Sequence, residues 1–169
     1  REIGFHDFTH DDVFLLFRRH DTNGDGKLNF QEFSNVLLPV SKEYAALLTD
    51  RPDYYMSRGI PISQFFNHDT LNELKALWSA LFKCERACEI LRVTLRQRPY
   101  FNLKSAFSFI DRNCNGVIDL EDLREFLANT GFYATERELQ SILGKCDKNN
   151  NRLINFSEFV DEFSPKLGM

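Results

Sequence analysis

Three twelve-residue stretches rich in Asp and Asn, at 21–32, 111–122 and 147–158, recur along the chain, each lying between two amphipathic runs. Each carries apolar residues at its eighth and tenth positions and another just past its end: Leu28, Phe30 and Phe33; Ile118, Leu120 and Leu123; Ile154, Phe156 and Phe159. The last two stretches begin 36 residues apart. A single helix–loop–helix cannot bury its own apolar face, so the repetition requires such units to pair. The same apolar spacing at Ile60, Ile62 and Phe65 reveals an eroded fourth copy over 53–64, where the frame survives and the polar positions do not. Coincidence is the alternative explanation for that copy.

Helix starts are readable around the repeats. Thr9 with Asp12, Thr70 with Glu73 and Thr135 with Glu138 have the spacing of reciprocal N-terminal capping, and Ser41 and Asn102 are further N-cap candidates. The implied helices run over 9–20, 30–38, 42–50, 64–68, 70–97, 102–110, 120–129, 135–145 and 156–163, with short β contacts where the eighth residues of paired loops meet. The fold class is all-α. Two helix–loop–helix pairs form lobes over 1–66 and 99–169, joined by a long amphipathic helix in 67–98.

The loops have the chemistry of a calcium site. This hard cation takes six to eight oxygens, which requires oxygens at alternate positions, a sharp turn at the sixth and a carboxylate returning from the twelfth. In 21–32, Asp21, Asn23 and Asp25 offer side-chain oxygens and Lys27 its carbonyl, with Asn29 acting directly or through water and Glu32 closing the set. Gly26 allows the left-handed turn. In 111–122 the set is Asp111, Asn113, Asn115, Asp119, Asp122 and the Val117 carbonyl. Asp122 is one methylene short of Glu, which favours one-oxygen binding and tolerance of the smaller Mg²⁺. In 147–158 the set is Asp147, Asn149, Asn151, Asn155, Glu158 and the Leu153 carbonyl. Arg152 at its turn costs about 1–2 kcal/mol and brings positive charge to the ion, which points to lower affinity. The 53–64 copy ends in Gln64 and carries Pro61, so it is expected to bind nothing.

On these motifs, and on the flanking residues 103–111 and 156–160, the chain resembles the EF-hand superfamily in the calmodulin and troponin C mould. The resemblance implies paired hands, cytoplasmic calcium sensing or buffering, and a target helix held in an apolar groove. Two departures stand out. The starts at Asp53 and Asp111 lie 58 residues apart, and the only methionines are Met56 and Met169. A groove lined by Phe and Leu rather than Met suits one dedicated partner, or none.

Charge, cysteines and missing motifs narrow the remaining classes. The net charge of −4 gives no footprint for nucleic acid, and its distribution is net −3 over 1–66, +2 over 67–98 and −3 over 99–169. Cys84, Cys88, Cys114 and Cys146 form no CxxC, which fits a reduced compartment. No apolar run is long enough to span a membrane, and no P-loop, HExxH or nucleophile–base pair suggests an enzyme. His6, His10, His20 and His68 are scattered. The chain opens at Arg1 with no signal-peptide pattern, and it reads as a piece of something longer.

Along 70–97 the positions 74, 77, 81, 84, 88, 91 and 95 alternate by three and four like a coiled-coil seam. This helix is expected to pack on the lobes and to place Cys84 and Cys88 in a core. It could instead serve as an internal target anchored by Trp78, or dimerise a monomer through residues 74–95. The expected function is a calcium-responsive regulatory or structural module that binds a protein partner, either a dedicated target helix or its own central helix. The alternatives are the calcium-regulatory portion of a larger enzyme and a passive buffer.

Overall fold

A computed structural model describes residues 8–38 and 41–167; His6 and Met169, both named above, lie outside that range. The described chain contains helices α1 (His10–His20), α2 (Phe30–Leu37), α3 (Lys42–Thr49), α4 (His68–Arg96), α5 (Leu103–Ile110), α6 (Leu120–Asn129), α7 (Glu136–Cys146) and α8 (Phe156–Phe163). Strands β1 (Val117–Ile118) and β2 (Ile154–Asn155) pair antiparallel, with Ile118 opposite Ile154. That is where the eighth residues of the last two loops were expected to meet. The all-α class and the long central helix are both present. Two compact units divide inside α4, one of Arg1–Glu89 and the other of Ile90–Gly168. Among the described residues, no helix is long and apolar enough to cross a membrane.

Capping explains where most helices begin. Thr9–Asp12, Asn29–Glu32, Asp119–Asp122, Thr135–Glu138 and Asn155–Glu158 each form a reciprocal capping box, and Asn102 accepts from the Ser105 N–H. Ser41 makes no side-chain cap bond. Two expectations fail at the start of α4. No helix forms over 64–68; a 3-10 turn at Ile62–Gln64 is followed by Phe66 at φ 62. A five-residue helix gains too little to offset its nucleation cost. The cap also falls to Asn67 rather than Thr70, since Asn67 Oδ1 accepts from the Thr70 N–H at 2.8 Å.

The unit from Ile90 onward is built around Phe107, Ile110, Ile118, Leu123, Leu139, Leu143, Cys146, Ile154 and Phe159, all buried. The other unit buries Leu15, Leu16 and Phe82, and adds aromatic contacts at Phe8–Phe82, Trp78–Phe82 and Phe33–Trp78. Large apolar side chains such as Phe30, Leu47, Met56 and Ile62 remain more than 60% exposed there.

The stripe that α4 buries differs from the expected seam. Phe82, Glu85, Glu89 and Arg92 are buried, whereas Cys84 is exposed, Cys88 is only half-buried and Leu77 and Leu91 are exposed. Ion pairing accounts for the rotation. In the first unit the Arg86 Nε donates to Asp12 Oδ1 at 2.6 Å, its Nη2 reaches Oδ2, and Arg19 pairs with Glu85 at 3.1 Å. In the second unit Arg92 donates to the Glu162 carbonyl at 2.7 Å and to its carboxylate at 2.9 Å. Buried charges demand such partners, and a helix that supplies them cannot also turn its cysteines inward.

Candidate metal-binding loops

The three polar loops fold by one set of backbone-to-side-chain bonds. The carboxylate opening each loop accepts the fifth and sixth N–H groups: Asp21 from Asp25 and Gly26 at 3.2 and 2.7 Å, Asp111 from Asn115 and Gly116 at 3.1 and 3.0 Å, and Asp147 from Asn151 and Arg152 at 3.2 and 2.7 Å. The third residue accepts the fifth N–H: Asn23 from Asp25 at 2.9 Å, Asn113 from Asn115 at 3.0 Å and Asn149 from Asn151 at 3.0 Å. The fifth residue accepts the seventh N–H: Asp25 from Lys27 at 2.8 Å, Asn115 from Val117 at 2.9 Å and Asn151 from Leu153 at 2.9 Å. Each oxygen-bearing side chain is thereby turned into its own loop, which short Asp and Asn chains do well.

The twelfth carboxylate returns to its loop in all three cases. Glu32 accepts the Thr22 and Asn29 N–H groups, each at 3.0 Å; Asp122 accepts those of Arg112 at 3.4 Å and Asp119 at 3.1 Å; Glu158 accepts those of Lys148 at 3.1 Å and Asn155 at 3.0 Å. The ninth residues Asn29, Asp119 and Asn155 therefore act as helix caps while standing at the loop. Two features went unread in the sequence. Thr22 adds a hydroxyl bond to Glu32 at 2.8 Å. The fourth residue of each loop is left-handed as well as the sixth: Gly24, Cys114 and Asn150 at φ 73, 56 and 59, with Gly26, Gly116 and Arg152 at 76, 84 and 64. Gly24 and Asn150 are residue types that tolerate that conformation, whereas Cys114 gave no signal.

Five carboxylates, on Glu32, Asp111, Asp122, Asp147 and Glu158, are at most 7% exposed. Among the described residues none of the five pairs with a Lys or Arg. Glu32 is held below the usual carboxylate range, first by the Asn29 N–H and then by the Thr22 hydroxyl. Burial pushes Asp122 up, and the negative charges of Asp119 and Asp111 add to the shift while N–H bonds oppose it. Buried, like-charged oxygens fit a bound cation. Among the described residues no three His, Cys, Asp or Glu side chains gather into a metal cluster. An oxygen site for a hard cation does not require one, because Asn side chains and a main-chain carbonyl share the ligation.

The 53–64 segment folds differently. Asp53 accepts the Tyr55 and Met56 N–H groups at 3.0 and 2.8 Å just ahead of a 3-10 turn at Met56–Arg58. Tyr55 stacks on Phe65 with centroids 4.7 Å apart, and the Arg58 guanidinium lies 4.1 Å from the Tyr54 ring centre. Aromatic packing and a built-in cation occupy this segment where the other loops gather oxygens.

Two family models, each described as an EF-hand domain pair, match residues 100–164 and 1–38. The chain is 37% identical over 152 residues to troponin C of Todarodes pacificus, covering 88% of each chain. It is 28% identical over 145 residues to the probable calcium-binding protein CML25 of Arabidopsis thaliana, covering 85% of this chain and 68% of that one. Polcalcin Cup a 4 of Hesperocyparis arizonica is 27% identical over 144 residues, covering 85% and 74%.

Proposed function

Because this chain belongs to the EF-hand superfamily as a calmodulin- and troponin C-like calcium-binding protein, we propose that it acts as a calcium-responsive regulatory module that engages a protein partner. In this reading Asp21, Asn23, Asp25, Lys27, Asn29 and Glu32 hold the tightest ion. The loop of Asp111, Asn113, Asn115, Val117, Asp119 and Asp122 holds calcium or magnesium less tightly. The loop of Asp147, Asn149, Asn151, Leu153, Asn155 and Glu158 is the weakest, with Arg152 in its turn. A bound calcium supplies double positive charge to these gathered oxygens. The role is regulatory rather than catalytic, in keeping with relatives named as troponin C and calcium-binding proteins.

The contact that carries the proposal lies next to the first loop. Phe33 follows Glu32 in α2, and its ring stands 5.9 Å from that of Trp78 on α4. Any adjustment of Glu32 is passed by one peptide bond to Phe33 and so to Trp78. The same Trp78, with Phe8, Val13, Leu71, Leu74 and Phe82, lines a largely apolar groove. The central helix is then the first partner of the loop, and the adjoining groove is the surface offered to a second protein.

Calcium titrated into metal-free protein is expected to change Trp78 fluorescence in step with the tightest calorimetric phase, and Glu32→Gln to abolish both. Binding without any change at Trp78 would refute the coupling. Survival of the tightest phase in Glu32→Gln would refute the ranking of sites.

A further inference from the structure

The second residue of each metal loop donates its N–H to the twelfth carboxylate, but its side chain is used in two ways. In the first loop Thr22 turns its hydroxyl onto Glu32 itself. In the other two loops the second residue is a cation that reaches past the loop to the exiting helix. Arg112 pairs with Glu125 on α6 at 2.9 Å, and Lys148 pairs with Asp161 on α8. Each acidic partner stands three residues beyond the twelfth position, so the spacing from cation to acid is thirteen residues in both loops. The corresponding pair in the first loop is Thr22 and Asn35, which carries no charge.

We propose that Arg112–Glu125 and Lys148–Asp161 are positioning pairs that fasten each exiting helix to the entrance of its loop, holding Asp122 and Glu158 at the loop before an ion arrives. The proposal rests on the reading of residues 111–122 and 147–158 as cation sites. Fastening matters most where the ligand set is poorest, and these loops carry the short Asp122 and the strained Arg152. Lys166 also holds Asp161, at 3.0 Å. It turns the acid toward its own chain segment as well as toward Lys148. The first loop has no such ion pair: Thr22 reaches only Glu32 in the first turn of α2, so the next turn of α2 is not fastened to the loop entrance as those of α6 and α8 are. This assigns the responsive role to the first unit and a pre-set, cation-holding role to the second.

Strapping and simple charge make opposite predictions. Removing a cation beside a calcium loop raises affinity if its only effect is Coulomb repulsion of the ion. It lowers affinity if the cation positions the twelfth carboxylate. For Arg112→Gln and Lys148→Gln in the full chain, calorimetry with calcium is expected to show roughly two- to fivefold weaker binding in the matching loop, the range an exposed ion pair can supply. The first-loop phase should not move. Exchanging the partners, Arg112→Glu with Glu125→Arg, is expected to restore binding. In metal-free protein, amide exchange at the first turn of α6 or α8 should quicken in the single variants and recover in the exchanged pair. Tighter calcium binding in the single variants, or unchanged amide exchange, overturns the proposal. If the wild-type chain binds no calcium in these two loops, the site reading fails, and amide exchange in metal-free protein still decides whether the straps exist.

Discussion

Arg152 stands at φ 64 where the other two loops place Gly26 and Gly116. A side chain in the left-handed region costs about 1–2 kcal/mol, and glycine gives part of that back through the freedom it adds to the unfolded chain. Arg152→Gly is therefore expected to stabilise the metal-free protein by up to about 1 kcal/mol, seen as a higher midpoint in thermal unfolding. It should also tighten calcium binding at 147–158, since a positive charge leaves the turn. Loss of stability would show that Arg152 makes contacts outweighing its backbone strain. The position was legible in the sequence because a turn with oxygens on both sides has one conformational requirement, and Arg meets it poorly. The left-handed Cys114 was not legible, because nothing in a cysteine signals that conformation.

Helix α1 is fastened to α4 through Asp12, which is 2% exposed and bonded to the Arg86 guanidinium and to Thr9. The Arg86 hydrogen bond holds its carboxyl well below the usual range, against an opposing push from burial. A carboxylate whose folded pKa is depressed stabilises the fold above its unfolded value, about 4, and that contribution is lost as pH falls through the folded value. Asp12→Asn is thus expected to lower the unfolding midpoint by several degrees at pH 7. The gap to wild type should stay level down to about pH 4 and close below it. A gap that is constant to pH 2 would mean that packing rather than charge is what the variant loses. Capping spacing singled out Thr9 and Asp12 in the sequence, but only as a local helix start. Arg86 lies 74 residues away, and no short-range pattern connects the two.

Across the molecule, apolar burial is uneven. The unit from Ile90 onward owns the contiguous core, with Leu139 at 0% exposure among Ile118, Ile154 and Phe159, whereas the other unit relies on fewer buried apolar residues and on ion pairs. Leu139→Ala is expected to cost about 2–5 kcal/mol, from lost burial and the cavity left behind, measured by denaturant unfolding followed by circular dichroism. A cost below about 1 kcal/mol would mean that the core collapses readily around the gap. Both units expose large apolar side chains, among them Phe30 and Ile62 in the first and Phe109 and Tyr133 in the second.

The loops and most of the caps could be read from residue order alone, because their causes lie within about a dozen neighbouring residues: a carboxylate and the N–H groups it accepts, a turn and the conformation it requires. The pairing of β1 with β2 could be read because the repeat sets each apolar eighth residue against its counterpart 36 residues on. The face that α4 buries could not. Its three-four pattern fitted Cys84, Cys88 and Leu91, yet Glu85, Glu89 and Arg92 are the residues inside. Hydrophobic periodicity records which side chains prefer to leave water. It does not record that Arg19 and Glu162, brought close only by folding, supply the counter-charges that Glu85 and Arg92 require, and that requirement sets the rotation of the helix.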